Sequence, residues 1–72
     1  MPNLEYQFEF DIKRITIKTE RMPYYDALDL SEKLGRKGIH YNIIEIDTKC
    51  GNYQQITSRM LRMLKRQRDA LK

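Results

Sequence analysis

Cysteine occurs once in these 72 residues, histidine once and tryptophan not at all, with only three glycines and two prolines. A single cysteine excludes an internal disulfide, so Cys50 can pair only with another chain. His40 and Cys50, ten residues apart with no carboxylate cluster beside them, do not make a metal site. No run approaches the roughly 18 apolar residues of a membrane span. The start of the chain carries Glu5 and Glu9 where a signal peptide would have a basic stretch and an apolar core. These absences lead to the expectation of a soluble cytoplasmic protein with no cofactor, no metal and no membrane partner. A chain this short holds one small domain whose core supplies only a few kcal/mol, which makes oligomerisation an expectation in itself.

What is present is charge, unevenly placed. The formal net charge is +4. Residues 1–36 hold six basic against seven acidic side chains, and residues 37–72 hold eight against three, so the excess sits on the last segment.

From Leu4 the residues alternate, with Leu4, Tyr6, Phe8, Phe10 and Ile12 on one parity and Glu5, Gln7, Glu9, Asp11 and Lys13 on the other. That is a strand with one buried face. Ile15 and Ile17 take the opposite parity, so the apolar face flips near Lys13 and Arg14. A β-bulge or a tight reversal into a second strand accounts for the flip; with no Gly, Asn or Pro at that point, the bulged long strand is preferred. Pro23 suits the first turn of a helix, Asp26 and Asp29 complement its dipole, and Ala27, Leu30, Ser31 and Leu34 form an inward stripe ended by Gly35 or Gly38. Ile39 to Asp47 reads as an internal strand. Asn52 with Gln55 three residues later reads as a capping box, placing a last helix from about Tyr53 onward with Ile56, Met60, Met63, Leu64 and Leu71 at helical spacing.

The run Ile15 to Asp47, ITIKTERMPYYDALDLSEKLGRKGIHYNIIEID, resembles the first half of glutaredoxins and related thioredoxin-fold proteins, in which a strand leads into Cys-Pro-Tyr-Cys, a helix closing on Lys-Gly, and a strand ending in Ile-Asp. Pro23 and Tyr24 match the central Pro-Tyr, Lys37-Gly38-Ile39 the helix exit and Ile46-Asp47 the second strand. Met22 and Tyr25 fall on the two cysteines. The resemblance covers 33 of 72 residues and lacks the last hairpin of that family. It implies a thioredoxin-like half-fold without the thiolate that exchange chemistry requires, and therefore no oxidoreductase activity.

The resulting expectation is a small α/β domain of β-α-β-α order, a truncated thioredoxin fold whose two- or three-stranded, partly parallel sheet is covered by two helices. The long N-terminal strand is its exposed edge, and pairing that edge with a second copy makes a homodimer the simplest completion. The preferred function is a non-enzymatic module that binds a protein partner through Tyr6, Phe8, Met22, Tyr24 and Tyr25. The alternative is a nucleic-acid-binding regulator using Arg59, Arg62, Lys65 and Arg66 of the last helix. Gly35-Arg36-Lys37-Gly38 has the form of a backbone-clamping Gly-x-x-Gly loop, but a strand follows where a second helix is needed, so a glycine-capped helix end is preferred.

Overall fold

The computed structural model describes the backbone of residues 4–70 and the side chains of residues 4–67; Leu71, expected on the inward stripe of the last helix, lies outside the described residues. Six elements follow one another: β1 (Leu4–Ile12), β2 (Ile15–Lys18), α1 (Tyr24–Arg36), β3 (Tyr41–Asp47), β4 (Asn52–Ile56) and α2 (Ser58–Ala70). The strands form one sheet in the order β2-β1-β3-β4, antiparallel at every step. A β-β-α unit thus occurs twice, with β1 and β3 paired at the centre and β2 and β4 at the edges, although no sequence repeat accompanies it.

This layout overturns the expected partly parallel β-α-β-α sheet of truncated thioredoxin type. Two local causes account for the difference. At Lys13 and Arg14 the chain reverses rather than bulges: both adopt positive φ, 50° and 68°, which is the backbone of a two-residue turn matched to the twist of a hairpin. Ile12 then pairs with Ile15 and Phe10 with Ile17, so the parity flip marks a new strand. The second cause lies at residues 52–56, which form β4 rather than the first turn of a helix. Asp47 accepts hydrogen bonds on its side chain from the Lys49 and Cys50 amides and on its carbonyl from Gly51. Gly51, at φ 73°, supplies the left-handed residue that turns β3 into β4. The helix begins later, where the Thr57 hydroxyl caps it by accepting from the Met60 amide at 3.2 Å.

The two strands that flank α1, β2 and β3, run in the same direction, because each is antiparallel to β1. They do not touch, because β1 lies between them. The long N-terminal strand is therefore central rather than exposed at an edge. Its ladder with β2 also carries an extra residue: Glu9 pairs with Lys18, but Tyr6 pairs with Met22, one position beyond the continued register. The Thr19 hydroxyl replaces a ladder carbonyl there by accepting from the Phe8 amide at 3.0 Å. This bulge bends the chain off the edge and into α1.

Both helices lie on one face of the sheet. Tyr6, Phe8, Ile43 and Ile56 look up from the strands, and Tyr24, Ala27, Leu34 and Leu61 look down from the helices, all buried in one cluster. The α1 exit at Lys37-Gly38 is a glycine stop: the Ile39 amide reaches back to the Leu34 carbonyl at 3.0 Å while Gly38 takes φ 70°. On the opposite, polar face Ile46 is nonetheless 1% exposed. Its cross-strand neighbours are Glu5 and Tyr53, and the Arg21 guanidinium reaches across that row to donate to the Tyr53 hydroxyl. The aliphatic stem of an arginine laid along a sheet can shield apolar surface in this way.

Candidate interaction surfaces

Three of the five residues expected to bind a partner are core. Tyr6, Phe8 and Tyr24 are buried, and Met22 is half-buried against the same cluster. Their positions follow from the strand and helix periods. Tyr6 and Phe8 point to the helix side of the central strand, and Tyr24 opens α1 directly above them, its ring edge-on to Tyr6 at 5.8 Å. Their hydroxyls are satisfied internally, Tyr6 donating to Glu45 at 3.1 Å and Tyr24 to the Leu61 carbonyl. Met22 exchanges backbone hydrogen bonds with Tyr6 at 2.8 Å in both directions. Met-Pro-Tyr-Tyr is thus a strand-to-helix junction built around a buried tyrosine, and of the set only Tyr25 is exposed.

The exposed apolar surface lies elsewhere. Phe10, Ile12, Ile15 and Ile17 occupy the helix-side face of the β1–β2 hairpin, as their pairing requires. Phe10 is half-buried against the core cluster, whereas Ile12, Ile15 and Ile17 beyond it are exposed. Ile15 is 65% exposed and Ile17 37%, on an edge strand whose outer backbone has no neighbour in the sheet. Across the molecule, beside the other edge strand, Met60, Met63 and Leu64 of α2 overhang Ile56 and Gln54 of β4 to form a short apolar groove. Met63 is 53% exposed. The hairpin patch was readable in principle: once Ile15 and Ile17 are taken as a second strand, their face is the face of Phe10 and Ile12. That Ile12, Ile15 and Ile17 stay exposed while Phe10 is half-buried is a property of the packing that no local period carries.

Of the basic residues on the last helix, Arg62, Lys65 and Arg66 line a groove between α2 and α1, whereas Arg59 is exposed outside it. The opposite wall carries Tyr25, Asp29 and Glu32. Those two carboxylates each face a cation on their own helix, Asp29 with Lys33 at 3.6 Å and Glu32 with Arg36 at 3.7 Å, pairs of the weak, solvent-screened kind. The groove retains a positive balance, and it holds an exposed aromatic ring that the linear order of residues did not place near the arginines. Among the described residues no group of three His, Cys, Asp or Glu side chains converges as a metal site, and no helix is long and apolar enough to cross a membrane. Cys50 is exposed in the β3–β4 turn, not at the start of α1.

Compared with known proteins, the chain matches no family model, no curated protein and no solved structure.

Proposed function

We propose that this chain is a non-enzymatic interaction module of the cytoplasm that joins a second copy of itself, and through that assembly a protein partner, by the helix-side face of the β1–β2 hairpin. The observation that carries this reading is the apolar row Ile12, Ile15 and Ile17, continuous with half-buried Phe10, lying exposed beside a strand edge that no other described strand pairs with. An edge of that kind is a template for adding a strand, and a domain of this size gains core by doing so. Thiol exchange has no support from the residues: the Met22 thioether has no S–H to ionise to a thiolate, and the one thiol, Cys50, lies in the β3–β4 turn and not at α1's N-terminus.

The test is solution mass by light scattering. The wild type is expected to run at a multiple of 8.7 kDa at both low and high salt, since the contact is apolar. Ile15→Lys, placed where the native side chain is already mostly exposed, is expected to keep the circular dichroism spectrum and lose the assembly. A wild type that stays monomeric at every concentration sinks the reading.

A second reading, nucleic-acid binding, is favoured by the position of Tyr25 beside Arg62, Lys65 and Arg66. Cations that track phosphates next to a ring that can stack a base are the elements of single-strand binding. Arg62→Glu with Arg66→Glu is expected to lower the affinity for a labelled oligonucleotide at least tenfold, and raising salt should weaken the wild type steeply. Salt-insensitive retention, or none, removes this reading.

A further inference from the structure

Resting on the self-association reading, we propose that the copies join head to tail, β2 of one chain adding to the outer edge of β4 of the next to continue a single antiparallel sheet. Three features converge on this arrangement. The first is strand direction. Because β3 is antiparallel to β1, β4 runs parallel to β1 and antiparallel to β2. A copy set beside β4 in the same orientation therefore presents β2 with the direction the ladder requires, and both copies keep their helices on the same face.

Register is the second feature. β2 has four residues and β4 five, so only two antiparallel registers overlap the whole of β2. One sets Ile15 opposite Gln55 and Ile17 opposite Tyr53, which lie on the other face of the sheet. The other keeps the faces matched, with Ile15 opposite Ile56, Thr16 opposite Gln55, Ile17 opposite Gln54 and Lys18 opposite Tyr53 of the neighbouring chain. The bulge after Lys18 carries Thr19 and Glu20 off the edge, so added pairing stops at four residues and the edge does not invite a longer, sliding ladder.

The third feature is cover. In each copy Ile15 and Ile17 lack a helix above them, and Met60 and Met63 of α2 overhang the β4 edge with no strand beneath them beyond it. Head-to-tail addition brings these two incomplete halves together and puts the methionines, which adapt readily to an irregular surface, over the isoleucines. A two-fold β2 to β2 pairing does not do this: it sets isoleucines side by side, still uncovered from above, and leaves both methionine grooves open. Unlike a two-fold contact, a head-to-tail contact leaves a free surface at each end of the assembly, so growth does not stop at two copies unless a ring closes.

The full-length chain tests this by complementation. Ile15→Lys blocks the β2 surface and Met63→Lys the β4 surface, both at exposed positions. The wild-type mass is expected to rise with concentration beyond two copies, each variant alone to run as a monomer, and an equimolar mixture of the two variants to form a complex of two chains and no larger. A second variant, Thr16→Cys with Gln55→Cys and Cys50→Ser, is expected on oxidation to give a ladder of covalent oligomers that collapses with reductant. A wild-type mass that saturates at two copies, a Met63→Lys chain that assembles as well as wild type, a mixture that stays monomeric, or cross-linking that ends at a dimer or does not occur would each overturn the head-to-tail arrangement. The first two of these leave hairpin-mediated self-association standing, whereas a wild type monomeric throughout removes both.

Discussion

Phe8→Ala is expected to leave the chain mostly unfolded at room temperature. Phe8 is 0% exposed, pairs with Ile43 in the central ladder and packs its ring 5.5 Å from that of Tyr41. Tyr41 in turn shares a hydrogen bond with the Ser31 hydroxyl of α1 at 2.6 Å, so the ring of Phe8 supports the contact by which the C-terminal half of α1 is held to the sheet. Truncating a buried phenylalanine costs about 3–5 kcal/mol. A core of this size supplies about the same in total, which is why one ring decides the outcome. Far-UV circular dichroism and urea titration check it: the variant should lack a cooperative transition, or show one displaced to very low denaturant. Phe10→Ala, two residues along the same face but only half-buried, is the control and should stay folded. If the Phe8 variant instead unfolds within 1 kcal/mol of wild type, the cluster around Tyr6, Phe8 and Ile43 is not what holds the sheet to its helices.

The largest expected gain comes from the hairpin turn. Lys13 and Arg14 both lie in the left-handed region, where a side chain's Cβ crowds the backbone at a cost of roughly 1–2 kcal/mol per residue. Asn-Gly is the pair that two-residue hairpin turns of this geometry favour. Replacing Lys13 by Asn and Arg14 by Gly is expected to stabilise the domain by about 2 kcal/mol, after part of the gain is offset by the greater freedom that glycine gives the unfolded chain. For a domain of this length that is a rise of roughly 10 °C in Tm. The change removes two surface charges but no side-chain contact to the core, since both positions are exposed. An unchanged or lower Tm would mean that the flanking strands, and not the turn residues, set the hairpin's stability.

The same two residues mark where the fold stopped being legible in sequence. Alternation in β1, the inward stripe of α1 and the apolar character of β3 were all readable, because each rests on a local period. The reversal at Lys13 and Arg14 was not, because neither residue is one that prefers positive φ; strand pairing on both sides imposes it. β4 was hidden for a related reason. Asn52, Tyr53, Gln54 and Gln55 carry no apolar alternation, since β4 is an edge strand with four exposed residues. The capping signal borne by Asn52 and Gln55 therefore outweighed the strand signal on the page and was outweighed by the Gly51 turn in the fold. Losing both second strands turned two hairpins into two single strands, and a parallel pair was then the natural inference. The exposed surfaces differ as a direct result. With β1 at an edge, Tyr6 and Phe8 would have been near solvent; with β1 at the centre they are the best-buried rings in the molecule, and exposure passes to Ile15, Ile17, Met60 and Met63 on the outer elements.

The twofold β-β-α arrangement also bears on how the chain reaches its native state. Each hairpin joins residues close in sequence, such as Ile12 with Ile15 or Asp47 with Asn52, and loses little chain entropy on closing. The central ladder joins Leu4 to Asp47 and Tyr6 to Glu45, contacts whose loops span most of the chain. Topology of this kind makes the distant pairing the slow step. Until that pairing forms, Phe8 of β1 and Ile43 of β3 lack the cross-strand neighbour beside which each is buried, so the central ladder and the core are expected to appear together.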